Sequence, residues 1–300
     1  MKILISGASG LIGTAVTEQL QPLGHQVFKL VRKPPKSQTE ILWDPIGKNI
    51  DKKSLSAIEN LDFAINLSGY SIGKKRWNSK IKSEILTSRI LTTEFFVQIL
   101  NDVKFNLKGL LSASAIGYYG SQGNAELSED FDCGNDFLST VCQKWETVAM
   151  SFGSNVTLLR SGIVLSEKDG ILAKQLFLFK HGLGARLGNG KQWISWISLQ
   201  DEIRAIIFCM SNLIFGPINL TAPKPVTNLE FTEKLATTFS KTAKLAIPKP
   251  VISTIFGKEM AEQLLFASQK AMPTKLLTYG FEFLHPDIDT YFTDQFHTRN

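Results

Sequence analysis

The residues best placed to do chemistry lie near the N-terminus, where Gly7-Ala8-Ser9-Gly10-Leu11-Ile12-Gly13 spells G-x-x-G-x-x-G. The turn follows the apolar run Lys2–Ser6 and precedes an amphipathic stretch from Leu11 to Leu23, so it joins a strand to a helix. In that setting Gly7 makes the tight turn, Gly10 lets a pyrophosphate approach the backbone, and Gly13 lets the helix pack close to the strand. The N–H groups around Ser9, Leu11 and Ile12, freed at the helix start, then meet the anion. The competing reading is an ordinary glycine turn. A second cluster decides which dinucleotide would fit. Sites for NAD place an Asp or Glu near the end of the next strand to accept from the ribose 2′-OH. Here that strand ends Leu30-Val31-Arg32-Lys33, with no carboxylate. A 2′-phosphate is a dianion that suits a guanidinium fork. Arg32 and Lys33 therefore favour NADP(H), against the plainer reading of a solvated strand end.

Other reactive groups offer less. Cys133, Cys142 and Cys209 are too few and too dispersed for a disulfide framework or a zinc module, which reads as reduced thiols. His25, His181, His285 and His297 form no cluster with them, so no metal site is expected. The glycine-dense stretch Gly182–Trp193 reads as a mobile loop over a site. Arg186, Trp193 and Trp196 would there meet a planar or anionic substrate.

These groups need a frame. Strands are expected at Lys2–Ser6, Gln26–Val31, Phe63–Leu67, Gly109–Ser112 and Val156–Ser161. Helices are expected at Leu11–Leu23, Ser79–Leu100 and Phe137–Phe152. The βαβα rhythm predicts an α/β fold with a doubly wound parallel sheet, helices on both faces and right-handed crossovers. After Gly216 the texture changes. Pro217, Pro223, Pro225, Pro248 and Pro250 punctuate short segments, and Thr227–Phe239 and Ser253–Gln269 read as helices. The division expected is 1–225 for the nucleotide-binding domain with substrate-side insertions, and 226–300 for a small, mostly helical C-terminal lobe.

Composition excludes several classes. At 300 residues, 43% hydrophobic and 20% charged, the chain is neither disordered nor fibrous. The net charge of +6 comes from 33 basic and 27 acidic residues scattered along the chain, without the basic stripe of a nucleic-acid binder. No apolar run reaches membrane-spanning length, and no signal peptide is visible. A cytoplasmic protein acting on a small molecule is expected, with a homodimer left open.

Taken together, several segments resemble the extended and atypical short-chain dehydrogenase/reductase superfamily, in its epimerase branch. They are Gly7–Gly13, Val31-Arg32-Lys33-Pro34, Trp43-Asp44-Pro45, Asn66-Leu67-Ser68-Gly69, Arg76-Trp77, Ser88-Arg89, Ser112–Gly120, Lys144-Trp145-Glu146, Arg160–Leu165 and Trp196-Ile197. More closely, the chain is similar to epimerase-family proteins described as cell-division-inhibitor-like, which carry a short C-terminal domain of unknown function. The resemblance implies a Rossmann-type NADP-binding fold whose cleft is roofed by the C-terminal lobe. It also implies cofactor contacts at Leu67, Ser68, Gly69, Glu84, Arg89 and Val164.

The superfamily's chemistry uses a Tyr-x-x-x-Lys pair, at helical i, i+4 spacing, and a nearby Ser or Thr. By the resemblance, the pair belongs on the helix carrying Trp145-Glu146. The lysine position is then Cys142 and the tyrosine position Leu138, so both functional groups are missing. Lys144 should face elsewhere, being two residues further round the helix. The literal Tyr70-Ser71-Ile72-Gly73-Lys74 falls in a loop. The serine survives as Ser114, and Tyr118 just beyond could stand in as proton donor; the alternative is that Tyr118 and Tyr119 only line the cleft. Two functions follow. One is an NADP-dependent oxidoreductase or epimerase for a small hydroxyl- or carbonyl-bearing substrate. The other is a non-catalytic NADP(H)-binding sensor or regulator that has lost the pair.

Overall fold

Ile3, Leu4 and Ile5 have no exposed surface, because the strand they form lies inside an eight-stranded sheet. This computed structural model describes residues 1–103 and 107–296. His297 therefore lies outside the described residues. The sheet strands are β1 (Lys2–Ser6), β2 (Gln26–Val31), β3 (Glu40–Asp44), β4 (Asn49–Ile50), β5 (Phe63–Asn66), β6 (Gly109–Ala115), β7 (Val156–Ser161) and β8 (Gly216–Leu220). Their spatial order is β8-β7-β6-β5-β1-β2-β3-β4. All neighbours are parallel except β3 with β4. This is the doubly wound, Rossmann-type sheet expected from the alternating pattern.

Helices cover both faces. On one side α1 (Leu11–Leu20) and α4 (Leu199–Ser211) bury Val16, Leu20, Ala205 and Ile206 against Ile3, Ile5 and Leu159. On the other, α2 (Ser79–Asp102) and α3 (Phe137–Met150) bury Phe96, Leu100 and Ala149 against Leu4, Ala64 and Leu110. Strand alternation explains the division, since successive side chains point to opposite faces. A parallel sheet covered on both faces needs near-continuous apolar strands, as β1 and β5 show.

A third core joins distant parts of the chain. Leu165, Leu172 and Trp196 pack with Phe231, Leu235, Ile288 and Phe292. Trp196 is fully buried, donates to the Lys224 carbonyl and lies against Tyr291, so it is a core residue and not a substrate contact. Asp201 sits in the first turn of α4, which Ser198 caps. Its carboxylate accepts from the Leu284 and His285 amides at 2.9 and 2.8 Å, tying the C-terminal segment to the sheet domain.

Some boundaries differ from expectation. The first helix stops at Leu20: Gln21 keeps helical backbone and donates to the Thr17 carbonyl, but Pro22 has no N–H to carry the ladder further. The expected helix 253–269 is broken at Gly257, whose φ is +88°; Lys249–Phe256 lies before it, and Lys258–Met260 and Ala261–Leu265 after. Gly182–Trp193 is more than a loop. Ala185–Leu187 pairs with Leu245–Ile247, and Trp193-Ile194 pairs with Val226-Thr227. Among the described residues, no helix is long and apolar enough to cross a membrane.

Candidate functional site

The chain leaves β1 toward β2 and β3, then returns to β5 on the other side of β1. Such a switch opens a crevice at the carboxyl ends of the two central strands, where open α/β sheets take their ligands. Gly7 stands at its lip with φ +75°. A Cβ there would lie 2.6 Å from the Leu67 carbonyl carbon and 2.8 Å from the Ser68 nitrogen. A Cβ on Gly13 would lie 2.3 Å from the Gly7 oxygen, so α1 packs directly on the turn. Gly10 differs: it is exposed, and a Cβ would meet only the Gly7 oxygen, at 3.4 Å. Its missing side chain leaves open space. No side chain caps the start of α1, Ser9 is exposed, and Leu11 and Ile12 are half-buried.

A polar ladder fixes this crevice from below. The Ser6 hydroxyl donates to Asn66 Oδ1 at 2.7 Å, Asn66 Nδ2 donates to Thr93 Oγ1 at 2.8 Å, and Trp145 Nε1 donates to the same oxygen at 2.9 Å. It links β1, β5, α2 and α3. Buried polar groups are tolerable when each is satisfied, and such networks specify one arrangement.

Three cations border the crevice. Arg32 and Lys33 are exposed just past β2 and form no ion pair among the described residues. Arg89 reaches in from α2. Its Nη1 donates to the Tyr70 and Ile85 carbonyls at 3.0 Å each, and its guanidinium carbon lies 5.0 Å from the centre of the Trp145 ring. A Cβ on Gly69 would stand 3.4 Å from that carbon. No carboxylate pairs with Arg89 among the described residues, and burial holds its pKa below the usual arginine value. Glu84, on the same helix, makes no hydrogen bond or ion pair among the described residues. Val164 is half-buried in the short strand Ile163–Leu165 and packs on the core of the α1 face.

Ser114 and Tyr118 converge on one buried ion pair. The Ser114 hydroxyl donates to Glu146 Oε1 at 2.6 Å. Arg160 Nε and Nη2 donate to the two oxygens of that carboxylate at 2.8 and 2.9 Å, and its Nη1 donates to Tyr119 Oη at 3.0 Å. The Tyr118 ring lies on the guanidinium, 3.6 Å from ring centre to its carbon. Burial raises the Tyr118 pKa, and the Arg160 charge only partly offsets it, so the phenol stays protonated. Tyr119, deeper, is pushed up to about 12 by burial and donates to Asn219 Oδ1 at 2.7 Å. Glu146 and Arg160 do not stand out in the sequence as site residues. A signal is nonetheless present: an arginine ending the buried run Val156-Thr157-Leu158-Leu159 requires a partner.

On α3, Leu138 and Cys142 face Gly117, both buried, and burial pushes the Cys142 thiol up to about 12. Lys144 points to solvent, and the loop Tyr70–Lys74 leaves Lys74 exposed. Among the described residues, no three His, Cys, Asp or Glu side chains gather as for a metal. A further titratable group lies on the opposite face. Glu202 of α4 is fully buried and accepts from the Ser161 hydroxyl at 2.6 Å, while its second oxygen has no partner among the described residues. Burial raises its pKa to about 8, against the opposing Ser161 hydrogen bond.

Beyond the ends of β6 and β7 lies a cavity of about 70 Å³. Ile116, Ile163, Leu165, Trp193, Phe231 and Leu265 are among the residues that line it. Trp193 borders this space, whereas Trp196 is core.

A family model described as the NAD dependent epimerase/dehydratase family matches residues 3–220. The chain belongs to this family. A second model, a domain of unknown function (DUF1731), matches residues 247–295. The epimerase family protein Mb2239 of Mycobacterium bovis is 38% identical over 95% of this chain and 94% of its own length. The human epimerase family protein SDR39U1 is 31% identical over 96% of this chain and 97% of its own. The crystal structure of human SDR39U1 (isoform 2) with NADPH superposes with a TM-score of 0.88 at 28% identity, covering 100% of both chains. A nucleoside-diphosphate sugar epimerase from Corynebacterium glutamicum has a TM-score of 0.77 at 32% identity, covering 99% of this chain and 58% of its own.

Proposed function

We propose that this epimerase-family protein binds NADPH and catalyses hydride exchange with a small carbonyl- or hydroxyl-bearing substrate. The observation that carries the reading is spatial. The Gly7 turn, the strand end at Leu67–Gly69 and the cavity beyond Ile116 and Ile163 lie along the same carboxyl edge of one sheet. Dinucleotide and substrate would therefore lie side by side. The NADPH in the human SDR39U1 structure supports the choice of cofactor.

The residues fit the group. The open space at Gly10 and the uncapped start of α1 accept a pyrophosphate. Arg32 and Lys33 meet the 2′-phosphate. Leu67, Ser68 and Gly69 line the nucleotide's path, with Val164 at the nicotinamide end. Arg89, which among the described residues has no counter-charge, replaces from α2 the lysine that α3 lacks. When bound, NADPH supplies a hydride to the carbonyl carbon as the C=O π bond opens onto oxygen, giving the alcohol and NADP⁺ once the oxygen takes a proton. Tyr118, protonated and half-buried, donates that proton. Ser114, its own proton engaged by Glu146, offers lone pairs to a substrate hydroxyl.

A second reading has its own observation. Leu138 and Cys142 leave α3 without an acid/base pair, which favours an NADPH-binding sensor with no turnover. The two readings separate by titrating NADPH fluorescence with protein, then following the absorbance of reduced nicotinamide across a carbonyl panel. Saturable binding with oxidation by at least one carbonyl supports the reductase. Binding without oxidation supports the sensor, and no binding removes both.

A further inference from the structure

The cavity carries information about what the site can hold. Its volume of about 70 Å³ is room for on the order of five waters. Among the described residues, no Asp, Glu, Lys or Arg lines it. The walls are mainly aliphatic and aromatic, from Ile163, Leu165, Phe179 and Phe231. The polar side chains at its edge are mostly occupied by the fold. The Ser195 hydroxyl donates to the Gln269 carbonyl at 2.8 Å, Thr232 donates to the Asn228 carbonyl at 2.6 Å, and Gln269 Nε2 donates to the Ile116 carbonyl at 3.0 Å. Gln175 differs. It lines the space from the helix Gly170–Lys180 and makes no hydrogen bond among the described residues.

We infer that the substrate is a small uncharged carbonyl compound with an apolar body, seated in this cavity with Gln175 at its polar edge, and not a nucleoside-diphosphate sugar. The inference rests on the proposed NADPH-linked function. A diphosphate carries charge that proteins meet with Arg, Lys, helix N-termini or metal ions, and losing its hydration in an apolar pocket would be costly. An uncharged apolar molecule incurs no such cost, gains from burial against the aliphatic walls, and needs few polar partners to fix its orientation. The cavity's boundary at Ile116 and Ile163 sets such a molecule at the ends of β6 and β7.

The test measures binding separately from turnover. The full-length protein is saturated with NADP⁺, so that the nucleotide crevice is filled. Cyclohexanone and UDP-glucose are then compared by saturation-transfer NMR and by thermal shift. The inference expects saturable cyclohexanone binding and none by UDP-glucose. It also expects Ala185→Phe, which fills the cavity from its rim, and Gln175→Leu to weaken cyclohexanone at least about tenfold and about threefold, respectively. NADPH fluorescence of each variant should match that of the parent, which shows the fold intact. Should one variant fail to fold, the other carries the comparison. UDP-glucose binding, binding of neither probe, or cyclohexanone affinity indifferent to the folded variants would overturn it. Loss of NADPH binding in the parent protein would instead remove the proposed function. Cyclohexanone bound but not reduced leaves the inference standing and favours the sensor.

Discussion

The Ser114 hydroxyl donates to the Glu146 carboxylate across 2.6 Å, and Arg160 grips both oxygens of that carboxylate from the next strand. The contact ties β6, α3 and β7 together at the level of the site. Removing one partner of a buried ion pair leaves an uncompensated charge, at a cost of about 3–5 kcal/mol. Arg160→Met should lower the urea unfolding free energy by that much, and Ser114→Ala by about 1–2 kcal/mol. Equal losses from both would show that the pair is not the stronger element.

Arg32 and Lys33 are expected to recognise a 2′-phosphate. Replacing both with alanine should weaken NADPH at least about tenfold, equivalent to about 1.4 kcal/mol, and leave NADH affinity unchanged. Fluorescence titration with each nucleotide gives the ratio. A parallel loss for both nucleotides would assign these residues to something other than the 2′-phosphate.

Arg89 gives a prediction of opposite sign for binding and stability. Its guanidinium has carbonyl acceptors at Tyr70 and Ile85 but, among the described residues, no carboxylate. Arg89→Met should raise the NADPH dissociation constant about tenfold or more, while the Tm of the nucleotide-free protein stays level or rises. A Tm several degrees lower would mean that Arg89 is chiefly structural.

Glu202 should make stability depend on pH. The folded protein keeps its proton up to about pH 8, whereas an exposed glutamate releases it near 4.5. Between these values the folded state binds more protons than the unfolded state, so this group's contribution to stability falls as pH rises and levels off above about 8. Glu202→Gln mimics the protonated acid and should remove that slope. Thermal melts from pH 5 to 9 check it. A Tm difference between variant and parent that is the same at every pH would rule the effect out.

Two glycines separate geometry from composition. Gly7→Ala sets a Cβ 2.6 Å from the Leu67 backbone at positive φ, so it should destabilise the fold by about 2 kcal/mol or more and abolish NADPH binding. At Gly73 a Cβ would meet nothing within 4 Å, and the backbone has no positive φ. Gly73→Ala should change neither Tm nor binding.

Much of the fold was legible because its signals are local. The run Lys2–Ser6, the glycines at 7, 10 and 13, and the helix over 79–100 each follow from neighbours in sequence, and their alternation is enough to require a parallel sheet. The strand ends Leu67–Gly69 and Ser112–Ala115 were assigned to the site by the family resemblance; local pattern alone marks them only as the ends of strands. Local pattern was silent on Glu40–Asp44, a short strand near the sheet edge, and it misjudged 253–269, where Gly257 interrupts an otherwise helical stretch.

Side-chain pairing lay beyond local pattern. The resemblance to the short-chain dehydrogenase/reductase superfamily, not the local pattern, put Leu138 and Cys142 where an acid/base pair was expected. Assembly of the layers settled the rest. It brings Arg89 from another helix to lie beside Trp145 and Gly69, sends the Ser114 proton to Glu146, and makes Trp196 core while Trp193 borders a cavity. These relationships join segments tens of residues apart. They depend on which faces the sheet and helices bury together, and burial is a property of the packed layers, not of any one segment.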